Sequence, residues 1–120
     1  MTRTPEEIID HHAGALADGD LAGVISDYAE DARFITPDGV VAGRAALTEV
    51  FAGVLEQFPG FTLSVGTLVA DDDTVLLEWT ADAKAHDIID GVDTFVMRDG
   101  LIQLQTARFT VRSKSDGADA

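Results

Sequence analysis

The apolar residues of this chain change period once, and that change limits the folds open to it. Up to Phe58 they recur at helical intervals; from Phe61 onward they alternate, as in strands with one buried face. Thr4 followed by Pro5-Glu6-Glu7 opens a first helix, with a capping hydroxyl, a proline in the first turn and acids facing the helix dipole. Ile8, Ile9, His12 and Leu16 form its stripe, and Gly19 suits a left-handed end. Asp20 caps a second helix, on which Leu21, Val24, Ile25 and Tyr28 share one face. A short strand, "ARFIT", stops at Pro37 and an Asp38-Gly39 turn. Gly43 then leads into a third helix whose Leu47, Val50, Phe51, Val54, Leu55 and Phe58 lie together before Pro59-Gly60.

Four strand-like runs come next: "FTLSVGTLVA", "TVLLEWTADAKAH", "VDTFVM" and "LIQLQTARFTV". They are split by Asp71-Asp72-Asp73, by a loop expected near Asp87 to Gly91, and by the hairpin turn Asp99-Gly100. Three helices followed by an antiparallel meander predict an α+β fold in which the helices bury their stripes on one face of a curved sheet. A conical hollow between the two layers is the expected place for a small ligand.

The 120 residues amount to one domain, expected over residues 1–112, with a polar tail at 113–120. Eight Lys and Arg stand against 22 Asp and Glu, a net charge of −14, which repels phosphate backbones and anionic membranes alike. Neither nucleic acid nor a membrane is therefore an expected partner. The absence of cysteine excludes disulfides and thiolate chemistry. No run approaches the ~18 apolar residues of a membrane span, and "MTRTPEEIIDHH" lacks the apolar core of a signal peptide, so the expected location is cytoplasmic. Phosphate-binding loops, nucleophile elbows and metal-ligand spacings are missing, and no cofactor or metal is expected; the adjacent His11 and His12 diverge by about 100° on a helix.

"GDLAGVISDYAEDARFITPDGVVAGRAAL" together with "GVDTFVMRDGLIQ" resembles the nuclear transport factor 2-like superfamily, and within it the SnoaL-like and ketosteroid-isomerase-like branch. The likeness runs from about Glu6 to Val111, and Gly19-Asp20, Tyr28 to Ala32, Gly43-Arg44 and Arg98-Asp99-Gly100 carry it. It implies a cone of three N-terminal helices packed on a strongly curved, mainly antiparallel sheet. It fixes no reaction, because such folds host isomerases, cyclases, dehydratases, epoxide hydrolases and non-catalytic members. In the isomerases the general base is an aspartate just before a strand proline, and Thr36 stands there; a hydroxyl cannot act as that base near neutral pH without activation. The resemblance implies that His12 replaces a tyrosine of the oxyanion hole and that Asp93 retains its carboxylic acid. It also places Tyr28 in the supporting hydrogen-bond network and puts Phe51 where another tyrosine would stand.

The residues themselves allow two orientations of the strand bearing Asp93. Either Asp93, Phe95 and Met97 face the cavity, as the resemblance implies, or they face solvent or a partner while Val92, Thr94 and Val96 form the core. His12 lies on the apolar stripe of its helix and pairs with Asp93 only in the first case. Gln103, Gln105, Ala107 and Phe109 share a face of the last strand, where the glutamines can offer hydrogen bonds to a ligand. His86 ends a polar row begun at Glu78, and the loop expected after it leaves its side undetermined. Trp79 is read as a packing residue.

Two functions remain. The first is proton-transfer catalysis on a small, mostly apolar or aromatic molecule, in which Asp93, His12 and Tyr28 do the chemistry and Thr36, Phe51, Leu55, Phe95, Gln105 and Phe109 line the pocket. The second is a non-catalytic ligand-binding or oligomerisation module of the same fold. A homodimer is expected through the outer sheet face that includes Leu104, Thr106 and Arg108. Because Thr36 cannot accept the transferred proton, a 3-keto steroid isomerisation assay is expected to show no efficient turnover. Thr36→Asp should restore some turnover if the pocket admits a steroid, and efficient wild-type turnover would reveal another base.

Overall fold

A computed structural model describes residues 2–114; of the polar tail, residues 115–120 lie outside the described residues. Helix α1 (Pro5–Asp18) opens with a capping box, in which Thr4 Oγ1 accepts from the Glu7 amide and Glu7 reaches back to the Thr4 amide. It ends at Gly19, whose φ of 69° is the left-handed cap that glycine adopts without strain. Helix α2 (Leu21–Ser26) is capped by Asp20 and is shorter than its apolar stripe predicts. Tyr28 is no longer helical: it begins strand β1 (Tyr28–Thr36), four residues before "ARFIT". Arg44, the first residue of α3 (Arg44–Gln57), explains this, since its Nε and Nη2 both donate to the Tyr28 carbonyl at 2.8 and 2.6 Å. The chain between them includes a short strand, β2 (Gly39–Ala42), that pairs antiparallel with β1 and gives no signal of its own in the sequence.

The remaining strands are β3 (Thr62–Asp71), β4 (Thr74–Asp82), β5 (His86–Arg98), β6 (Leu101–Arg108) and a two-residue β7 (Arg112–Ser113) paired with the start of β5. The sheet order is β2-β1-β6-β5-β4-β3, antiparallel except where β1 lies parallel to β6. The expected α+β cone is therefore present, with β1 and β2 extending the predicted meander at one edge. Two expectations are corrected. His86 starts β5 rather than ending β4, and the segment from Asp87 to Gly91 is strand rather than loop. The tail's first residues, Ser113 and Lys114, are tied to the sheet, the latter through its amide to the Ala85 carbonyl.

Irregularities in pairing curve the sheet and decide which side chains enter it. Residues Val65 to Thr67 carry one extra residue against β4, and Leu101 to Leu104 carry one against β5. In β5 the pairing runs from Ile88 opposite Ala81 to Gly91 opposite Trp79, so two residues of β5 stand against one of β4. Ile89 and Asp90 both turn outward there, and the inward set passes from Ile88 to Gly91, Asp93, Phe95 and Met97. The indole of Trp79 lies across Gly91, where a Cβ would stand 2.2 Å from its ring, so only glycine allows this crossing. Between sheet and helices the core gathers Ile8, Val24, Tyr28, Leu47, Val75 and Ile102, all fully buried. None of the described helices is long and apolar enough to cross a membrane.

Candidate active site

A cavity of about 360 Å³ opens between α1, α3 and the concave face of the sheet. Its walls are mostly apolar, with Ile9, Leu16, Phe34, Val54, Leu77 and Phe95 prominent, and this is the setting in which a few polar groups carry weight. Of the residues singled out from the sequence, His12, Asp93, Thr36, Phe51, Phe95, Gln105 and Phe109 border it. Two do not. Leu55 sits half-buried on α3, one position round from the cavity-facing set Val50, Phe51, Val54 and Phe58. Tyr28 is fully buried behind His12, reaching the cavity only through its neighbours. Phe109 stands just past the end of β6, 41% exposed, at the rim, with its ring 5.5 Å from that of Trp79.

Asp93 is 6% exposed, and it is held by side chains rather than by the backbone. Trp79 Nε1 donates to Oδ1 at 2.9 Å and Gln105 Nε2 to Oδ2 at 2.8 Å. Burial pushes its carboxyl above the usual range; the two hydrogen bonds and the charge of His12 only partly oppose this. Trp79 is thus a ligand of the buried acid as well as a packing residue. Gln105 turns inward while Gln103, two positions earlier, turns out to Asp31, because Gln103 is itself the extra residue of β6.

The polar groups form one continuous chain. Asp27 Oδ2 lies 3.1 Å from His12 Nδ1, His12 Nε2 lies 3.3 Å from Tyr28 Oη, Tyr28 Oη donates to Gln105 Oε1, and Gln105 continues to Asp93. Its direction depends on the glutamine. A Tyr28 hydroxyl that donates to Gln105 can only accept from His12, so both imidazole nitrogens donate and His12 carries a proton while Asp93 is ionised. Turning the amide over reverses the three bonds between His12 and Asp93, while His12 Nδ1 goes on donating to Asp27: Asp93 then holds the proton, and His12 Nε2 accepts from Tyr28. The two arrangements contain the same number of protons, so the network can hold one proton at either end. The Tyr28 phenol stays protonated in both, since burial and then the charges of Asp93 and Asp27 hold it well above its ordinary range.

Asp27 is the residue that sequence reasoning missed. It is fully buried and accepts from Arg3 Nη1 at 2.8 Å and from the Nδ1 atoms of both His11 and His12. The two histidines that diverge too far to share a metal converge on one carboxylate. Desolvation raises the Asp27 carboxyl, but bonds from His12, Arg3 and His11 outweigh it and hold the carboxyl below the usual range. Its one signal in the sequence is an acid at the C-terminal end of α2, where the helix dipole disfavours negative charge unless it is paired. No group of three or more His, Asp or Glu is placed to hold a metal among the described residues.

This fold belongs to a known class. The model of the SnoaL-like domain matches residues 9–105, and the chain is a member of that family. Among solved structures it is similar to IdmH of Streptomyces antibioticus, a candidate polyketide cyclase, at 19% identity and a TM-score of 0.79, with 89% of this chain and 92% of that one covered. It is also similar to AclR of Streptomyces galilaeus, a candidate hydroxylase, at 19% identity and a TM-score of 0.76 over 88% and 87% of the two chains. A candidate ketosteroid isomerase of Kribbella flavida aligns at 20% identity and a TM-score of 0.72, over 86% and 75%. At these identities the likeness establishes the fold. No curated protein sequence matches the chain.

Asp27→Asn leaves Arg3 and His12 without their charged acceptor and is expected to cost about 2–3 kcal/mol at neutral pH. The folded pKa of Asp27 is lowered, so its contribution is complete above the ordinary carboxylate pKa of about 4 and is lost as pH falls through the folded value. Denaturant melts of the two proteins should therefore differ at pH 7 and converge on acidification.

Proposed function

We propose that this SnoaL-like protein catalyses cofactor-independent proton transfer on a small, mostly apolar carbonyl compound, by isomerisation, cyclisation or lyase chemistry. The observation that carries this reading is the pair of buried polar groups, His12 and Asp93, on the wall of one apolar cavity, joined through Tyr28 and Gln105. With His12 protonated and Asp93 ionised, Asp93 can take a proton from the carbon next to a carbonyl while His12 gives its Nε2 proton to the carbonyl oxygen, which replaces Tyr28 Oη as the acceptor of that N–H. An enol results, and reversal at another carbon isomerises the compound. The raised pKa of Asp93 makes it a stronger base than an ordinary carboxylate, and Asp27 keeps His12 oriented as the donor. Asp93 would thereby take over proton abstraction from the position held by Thr36, whose hydroxyl is engaged by the Asp38 amide at 3.1 Å.

Thr36 also favours the second reading, a ligand holder without chemistry, and one experiment separates the two. Exchange of the α-hydrogens of 4-phenylcyclohexanone for deuterium, followed by NMR, is expected to be accelerated by the wild-type protein. It should rise with pH as Asp93 ionises, above the ordinary carboxylate range, and fall by about 100-fold in Asp93→Asn and in His12→Gln. Binding of the ketone without exchange would leave the non-catalytic reading.

A homodimer formed through the convex side of the sheet is also proposed. Val69, Leu76, Thr94, Thr106 and Ile35 are successive partners across five strands, on the face opposite Asp93, and Val69 and Leu76 are 55% and 42% exposed. Such a row on a small domain is suited to a second copy. Sedimentation at micromolar concentration should give twice the chain's mass, and Leu76→Lys should return it to the monomer.

A further inference from the structure

His11 is the histidine of the Asp27 cluster that the cavity chemistry leaves unused. It does not border the cavity, and its side chain is 48% exposed. Consecutive helical residues point about 100° apart, so one carboxylate accepts from both His11 and His12 only by standing between them. Asp27 does so, and because its carboxyl is ionised, the Nδ1 atoms of both rings donate to it. Asp27 Oδ1 takes Arg3 Nη1 and His11 Nδ1, each at 2.8 Å. Oδ2 lies 2.9 Å from His11 Nδ1 and 3.1 Å from His12 Nδ1. The His12 contact is thus the longest of these, and His11 straddles both oxygens.

We propose that His11 is a positioning residue of this site: by sharing the Asp27 carboxylate it limits the hold of that carboxylate on His12, and so frees the His12 Nε2 proton for a ligand. This rests on the reading of His12 as the proton donor. Hydrogen bonds to one charged acceptor compete, since every donor draws on the same charge. The less of that charge His12 keeps to itself, the more readily its Nε2–H passes to a ligand oxygen. On the cavity side of the ring stand Tyr28 Oη, 3.3 Å from Nε2, and the charge of Asp93. On the Nδ1 side stands Asp27, with Arg3 and His11 behind it. Arg3 is also committed to the Gly100 carbonyl, at 2.9 Å, and so holds the N-terminal segment to the sheet. Among the described residues the His11 side chain bonds to Asp27 alone, so it can be exchanged without opening the cavity.

Two variants test this: His11→Ala, which removes the donor, and His11→Asn, whose amide sets an N–H where Nδ1 stood. The Nδ1–H proton resonance of His12, identified by its loss in His12→Gln, should move downfield in His11→Ala as the bond to Asp27 shortens, and return in His11→Asn. In exchange of the α-hydrogens of 4-phenylcyclohexanone, kcat is expected to fall about fivefold in His11→Ala with KM unchanged, and to recover in His11→Asn. A purely structural His11 would lower the melting temperature of His11→Ala and leave both the resonance and kcat in place. An unmoved resonance, or a moved one with unchanged kcat, therefore overturns the positioning role and leaves the proton-transfer reading standing. A loss of kcat that His11→Asn fails to rescue also overturns it, and makes His11 a carrier of protons rather than a donor to Asp27. Absence of exchange in the wild-type protein overturns the reading of His12 as donor, and the role of His11 with it, whatever the resonance does.

Discussion

The carboxylate of Asp27 ties the parts of this small domain together. Its side chain is fully buried, yet it receives Arg3 from the N-terminal segment and His11 and His12 from α1. Its backbone carbonyl accepts from the Ile102 amide of β6, and the same Arg3 reaches the Gly100 carbonyl in the β5–β6 turn. A charge taken out of water is tolerable only when such donors surround it, so the carboxylate fixes where the first helix lies over the sheet. It also sets the rotation of the imidazole that enters the cavity.

A second constraint is the curvature of the sheet. Each pairing irregularity adds one residue to a strand, bends it and exchanges the faces of the residues beyond it. The concave side is thereby assembled from rows that no single alternation connects: Leu77 and Trp79 on β4, Ile88 and then Asp93 on β5, and Gln105 and Ala107 on β6. The same curvature lets three short helices close a hollow that they could not close over a flat sheet.

Within that hollow the electrostatics depend on contrast. The Asp93 carboxyl is held above its ordinary range because most of its surroundings are apolar and only two side-chain donors and the charge of His12 oppose its desolvation. Tyr28 and Gln105 contribute by being unable to change charge there; they pass hydrogen bonding between two groups that can.

Much of this was legible in the sequence. The change of period at Phe61 determined the α+β order, the caps at Thr4, Gly19 and Asp20 placed two helices, and alternation along Asp93, Phe95 and Met97 offered the inward acid. Alternation could not supply parity across an irregularity, so the side of His86, the inward turn of Gln105 and the outward turn of Gln103 were hidden. Tyr28 left its expected helix because Arg44, sixteen positions later, holds its carbonyl, and Trp79 gained a polar role from a strand it meets only in the folded sheet. Leu55 looked like a cavity residue because a helical stripe is wider than the part of it that faces the hollow. The sequence by itself determined the three helices, the main strands, their order and the family, because these depend on neighbours within a few positions. The tertiary structure alone decided that His11, His12 and Arg3 meet on Asp27 and that the polar chain ends at Asp93, because hydrogen bonds between distant segments exist only once the sheet has curved and the helices have packed on it.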